Sequence, residues 1–290
     1  MSFKTELRVD KERLWMPPYN ELGMWVRLWD DALKRLQSLR RFEQSPLLKE
    51  AASKCRDLLL ADAGAALATR ERAEGEIARI VSDLPEWKQW AAFIPGVGKH
   101  LFGRLLGYIG NPAARVYPSC LAKHCGVAPD PRTGKIVKAE PGKVRPYNPK
   151  AKSVLYLIVK QSLLVYKRSP NLLAELYASY KEKYQQDHPD WTKGHCHFAA
   201  IVKAANIFVT HLWEVARKTQ GLPVVEIYPV IHLGHATKIP PEMMMHPRKA
   251  LPQVLRAIQE VENMLQDEED EKVATFVKGI VERMKQHTIP

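Results

Sequence analysis

The sequence predicts a mostly α protein built around a helix-hairpin-helix, with a long helical hairpin or coiled coil before it and a small helical tail after it. Three observations carry that prediction. Apolar residues recur at helical spacing in segment after segment. A five-residue glycine loop separates two apolar helical stretches near residue 96. Hydrophobic residues make up 46% of the 290, enough apolar surface to offset the entropy of ordering a core, which excludes a disordered chain.

Taken in order, residues 1–20 contain Pro17-Pro18 and little periodicity, and predict an extended arm. Leu22, Trp25, Trp29, Leu33 and Leu36 then define one amphipathic helix that closes before Pro46. A second, Ala-rich helical stretch runs from about Leu47 to Leu84 and, if continuous, spans roughly 50–60 Å. A helix of that length needs a partner: either an antiparallel hairpin within the chain or a dimerising coiled coil. After the glycine loop, a short helix is expected around Ser119–Cys125 and a mobile basic loop over Pro129–Pro149, pairable as a hairpin through 135–138 and 143–145. Ser153–Tyr166 reads as a buried central helix, Leu172–Tyr184 as amphipathic, and Thr192 as the N-cap of a helix reaching Lys218. A partly extended stretch follows, then a Pro-bounded linker over Met243–Pro252. Two helices, or one interrupted at the acidic run Asp267–Glu271, close the chain. The resulting division is 1–83, 84–240 and 241–290.

The chain carries 44 Lys and Arg against 32 Asp and Glu, a formal net charge of +12. Between Phe93 and Pro170 there are 14 Lys and Arg and only two acids, Asp130 and Glu140, so this one segment holds a net charge equal to the whole excess. Such asymmetry is the footprint of a polyanion partner, most often nucleic acid, against the plainer reading of a solvated basic surface. No run reaches the ~18 apolar residues of a membrane span and no secretory signal core is evident, so a cytoplasmic, membrane-free setting is expected. Four Cys fit reduced thiols.

In the loop Ile94-Pro95-Gly96-Val97-Gly98, the glycines allow backbone conformations that side chains forbid and leave N–H groups exposed where the second helix starts. With Lys99 and the helix dipole they make a phosphate seat that reads backbone, not base edges. The alternative is a plain corner in a helical core. Arg104, Arg132, Lys135, Lys138, Lys143, Arg145 and Lys152 extend the candidate contact set along the strand.

The run FIPGVGKHLFGRLLGYIGNP, then Tyr117-Pro118-Ser119, LAKHCGVAP over 121–129, and Thr133-Gly134-Lys135 resemble the C-terminal Tnp domain of the IS one-ten (also IS one-sixteen) transposases and Piv-type DNA invertases. WTKGHCHFAA and HLWEVARKTQGLPV are similar to that family's closing helix, and the resemblance covers roughly residues 84–240. It implies DNA transposition or site-specific recombination, with DNA, or a structured RNA, as partner. In that family a RuvC-like N-terminal domain holds four acidic metal ligands, and a serine in the Tnp loop attacks the DNA backbone. Here the 93 residues before the hairpin read as helices, and Thr133 stands in the serine's place. The resemblance therefore implies a DNA-binding protein that is not catalytic alone. An active recombinase using Thr133 with other groups in trans, and a structural helical scaffold, are the alternatives. No cofactor is expected, Mg²⁺ entering only if the protein is catalytic, and a homodimer or higher oligomer is expected through the N-terminal helices.

Cys120, His124 and Cys125, and His195, Cys196 and His197, lack zinc-finger spacing and fall on predicted helices, where consecutive residues face different ways. They read as structural, with no metal site. Tyr147, Tyr156, Tyr166, Tyr177, Tyr180 and Tyr184 are either core residues or stacking platforms for unpaired bases.

Overall fold

A computed structural model describes residues 9–130, 136–137, 139–225, 237–246 and 250–288, and these are helical almost throughout. Among them are α1 (Lys11–Leu14), α2 (Tyr19–Gln44), α3 (Lys49–Lys54), α4 (Arg56–Asp83), α5 (Pro85–Gln89), α6 (Lys99–Ile109), α7 (Pro118–His124), α8 (Pro149–Val165), α9 (Leu172–Asp187), α10 (Lys193–Thr219), α11 (Leu251–Met264) and α12 (Glu271–Thr288). The described residues contain no strand, only the isolated bridges Val9 to Arg115 and Pro129 to Ile136. The fold class is thus the all-α one read from periodicity.

The N-terminal arm is not simply extended. Asp10 caps α1 by accepting from the Arg13 backbone N–H at 3.0 Å, and the Asp10 N–H donates to Ala114 O at 2.8 Å, which ties the arm to the body. The long second helix breaks at Cys55 into α3 and α4. α2 and α4 form an antiparallel hairpin within the chain. Glu21 pairs with Arg79, the Trp29 indole N–H donates to Glu74 at 2.8 Å, and Arg35 pairs with Asp62. α6 lies in the groove between them because Gly103 and Gly107 face it: a Cβ on Gly103 would stand 2.4 Å from Ile77, and one on Gly107 2.5 Å from Val26. The apolar core is continuous from Tyr19 to Met284 and takes in all three sequence segments.

α10 runs through the middle of the other half, against α7, α8 and α9. Thr192 caps it as the sequence indicates, accepting from the His195 N–H at 3.2 Å. It is the one described helix long and apolar enough to cross a membrane, and 61% of that apolar window is buried inside the protein, as a core helix requires. Met243–Met245, expected in a linker, are instead core: each is at most 3% exposed, and Pro241–Met244 forms a 3₁₀ turn. Unbranched, polarisable side chains fill irregular gaps, and the flanking prolines disguised that role in the sequence. The Trp90 indole N–H donates to Pro241 O at 2.8 Å and the His246 N–H to Phe93 O at 2.7 Å, so this segment clamps the far side of the hairpin. Glu268 of the acidic run accepts from the Thr237 N–H at 2.9 Å.

One buried acid sets a pH dependence. Glu86 is fully buried, accepts from the Tyr19 hydroxyl through Oε1, and has no partner at Oε2. Burial holds its carboxyl above the usual carboxylate range, outweighing the Tyr19 hydrogen bond. A folded-state value raised above the unfolded one, about 4.3, means that the contribution is fully present below that pH and is lost as pH rises through the folded value. Glu86→Gln is therefore expected to flatten the fall in melting temperature between pH 4 and pH 8, which thermal denaturation across that range measures.

Candidate nucleic-acid interface

The hairpin is built from its prolines, glycines and buried apolar anchors. Pro85 opens α5, Ala91–Phe93 make a 3₁₀ turn, and Ile94 and Val97 are buried. Gly96 has φ +85, and a Cβ there would lie 2.5 Å from the backbone N of Ser162 in α8. The Ser162 hydroxyl donates to Pro95 O at 2.9 Å, which completes the seating of the loop on α8. Gly96 thus has a packing role of its own. Gly98 is the exposed N-cap of α6, with nothing within 4 Å of where its Cβ would be and no side chain to cap the helix. The first helical bond runs from Phe102 N–H to Gly98 O, so the N–H groups of Lys99, His100 and Leu101 have no acceptor among the described residues.

The predicted cations separate into three groups. Lys99 is exposed at this end of α6 and makes no ion pair among the described residues. Arg104 turns inward: its guanidinium lies 4.1 Å from the Trp29 ring centre, and His100 packs at 4.9 Å from the same ring. Burial and the Arg104 charge push the His100 imidazole below its ordinary range. At the other end, the Asn148 amide donates to Tyr108 O at 3.1 Å and Lys150 pairs with Asp30 at 2.5 Å. α6 and α8 are therefore antiparallel, and Lys152 is about 15 Å along the axis from Lys99. Lys152 sits 4.6 Å from the Tyr147 ring, half-buried, with its ammonium pushed down by burial. Lys143 pairs with Glu140 at 2.6 Å, whereas Arg145 is exposed and has no ion pair among the described residues. Arg132, Thr133, Lys135 and Lys138 lie outside the described residues. Of the pairing expected between 135–138 and 143–145, the described part shows Ile136 bridged to Pro129 instead.

Three cations that belong to the basic segment, but not to the residues singled out from it, lie on the outward face of the C-terminal part of α8 and just past its end. Lys160, Lys167 and Arg168 are exposed and make no ion pair among the described residues. The sequence held a signal for Lys160: with Ser153 and Leu164 it falls on the helix face opposite Ala151, Val154, Leu155, Ile158 and Val159, which are buried. The arrangement at this end combines a loop locked onto α8, free backbone donors and fixed positive charge, which suits a phosphate backbone.

The tyrosines divide as well. Tyr147 packs on Gly126, whose φ is +69, and lies under Lys152. Tyr166 donates to Glu175, Tyr177 bonds His197 at 2.6 Å, and Tyr180 and Tyr184 pack together beside Phe276 and Trp191 respectively. Tyr156 alone of the six sits against an exposed ring, Phe198. Cys120, Cys125 and Cys196 are buried; burial pushes the Cys125 thiol up to about 12 and the His124 imidazole down to about 4, the latter aided by Arg115. His195 stacks on Trp191 at 3.8 Å, so the neighbours of Cys196 point to separate environments. No group of three metal-ligating side chains occurs among the described residues.

Compared with known proteins, the chain matches no family model, no curated protein and no solved structure.

Proposed function

We propose that the chain is a DNA-binding protein of the transposase Tnp type, acting in transposition or site-specific recombination, and that it grips backbone phosphates at the hairpin end of α6 and the adjoining end of α8. The observation that carries this reading is that Lys99, Lys160, Lys167 and Arg168 are exposed and without ion pairs among the described residues, in a segment with only two acids. Unpaired cations gain most from a phosphate because no neighbour silences them, and Lys99 adds the free N–H groups of its own helix end. Structured RNA presents the same phosphates and is the alternative ligand. Leu58, Leu60 and Leu67, exposed along α4, support pairing with a second copy as part of the same reading.

A fluorescence titration of the full chain against duplex DNA tests the proposal. With six to ten phosphate contacts, affinity falls about 10³–10⁵-fold between 50 and 200 mM salt. A flat salt response would show that phosphates do not carry the binding and would end this reading.

A further inference from the structure

We infer that the stacked pair Tyr156–Phe198 is a platform for an unpaired base, so that the strand held at the hairpin end is single-stranded where it crosses α8. The inference rests on the nucleic-acid reading above and adds the kind of strand. The two ring centres lie 6.1 Å apart with planes 27° from parallel. Tyr156 is half-buried and packs on the core, whereas Phe198 is 57% exposed on a helix that buries Cys196, Ala200 and Ile201 on its other side. A single exposed apolar residue has little meaning by itself. This one is backed by a second, half-buried ring. Lys160 lies one turn along α8 from Tyr156 and is exposed, with Lys167 and Arg168 beyond it. α8 has no acid at all, and the first acid of α10 is Glu214.

Aromatic faces beside unpaired cations match a nucleic acid strand, whose bases stack on the rings while its phosphates meet the charges. In a duplex the base faces are already stacked on one another, so only an unpaired base can use this surface. Along the axis of α8, Tyr156 precedes the Gln161–Ser162 backbone that receives Gly96 by five to six residues, about 8 Å of rise, with Lys160 on the outward face between them.

Affinities of the full chain for an oligothymidylate, a base-free phosphate spacer strand of equal length and a duplex test the inference. Phe198→Ala is expected to weaken oligothymidylate binding about 5- to 100-fold with an unchanged salt slope, while binding of the spacer strand and the duplex is unchanged. Phe198→Trp is expected to retain the oligothymidylate affinity. Lys160→Glu is expected to weaken all three ligands. An unchanged oligothymidylate affinity in Phe198→Ala, or an equal loss across the three ligands, would overturn the platform while leaving salt-dependent duplex binding intact. No salt-dependent binding to any ligand would remove the nucleic-acid reading and the platform together. Self-association that Phe198→Ala abolishes would assign the patch to a second copy and overturn it equally.

Discussion

Replacing Gly96 with alanine is expected to lower stability by about 2–5 kcal/mol, more than any exposed substitution in the hairpin. Two penalties combine. The φ of +85 costs an L side chain about 1–2 kcal/mol, and forcing a methyl against a packed surface costs about 1–3 kcal/mol. The obstacle is the α8 backbone, 2.5 to 2.7 Å away at Gln161 and Ser162, and not the end of a flexible side chain, so the loop must lift off α8 to relieve it. Gly98, two residues on, has φ −97 and open space, and Gly98→Ala is expected to change stability by no more than about 0.5 kcal/mol. Urea unfolding of both variants measures the contrast; equal effects would mean that the loop is not locked on α8. The comparison also separates the two glycines by role, since Gly96 positions the loop and Gly98 leaves the helix N-terminus uncovered.

The triple variant Lys160→Glu, Lys167→Glu, Arg168→Glu is expected to lose about 10²–10³-fold in duplex affinity at 0.1 M salt, with the salt slope reduced by about three. Each phosphate contact contributes nearly one logarithmic unit of counterion release at that concentration, and reversing the charges adds repulsion. All three side chains are exposed and make no ion pair among the described residues, so the fold is expected to be indifferent to the change. Circular dichroism establishes that point before the titration is read. Retained affinity would move the phosphate contacts to the opposite end of α6, near Arg145 and Lys152.

Much of this architecture was legible because it depends on local signals. The 3.6-residue recurrence of Leu22, Trp25 and Trp29 located α2, Thr192 announced α10, and the Ile94–Gly98 loop marked the hairpin. What escaped depends on partners distant in sequence. Arg104 read as one more surface cation because Trp29, which its guanidinium covers, is far along the chain in α2. Met243–Met245 read as linker because proline and methionine spacing says nothing of a cavity that α10 and the hairpin create between them. The same limit held at the interface: the basic segment was evident as a charge count, but which of its members are neutralised, as Lys150 is by Asp30, is decided only by packing.

The clamp on the hairpin has a consequence for how the protein is made. The bond from Trp90 to Pro241 joins residues 151 positions apart, and the buried methionines that accompany it follow directly. A ribosome delivers Trp90 long before it delivers Pro241, so the hairpin end cannot reach its final packing until the Pro241–Met245 segment has emerged. Until then Trp90 and its neighbours are exposed apolar surface on an unfinished nascent chain. The stretch following residue 240 thus acts as a late-arriving keystone for a corner encoded near residue 96.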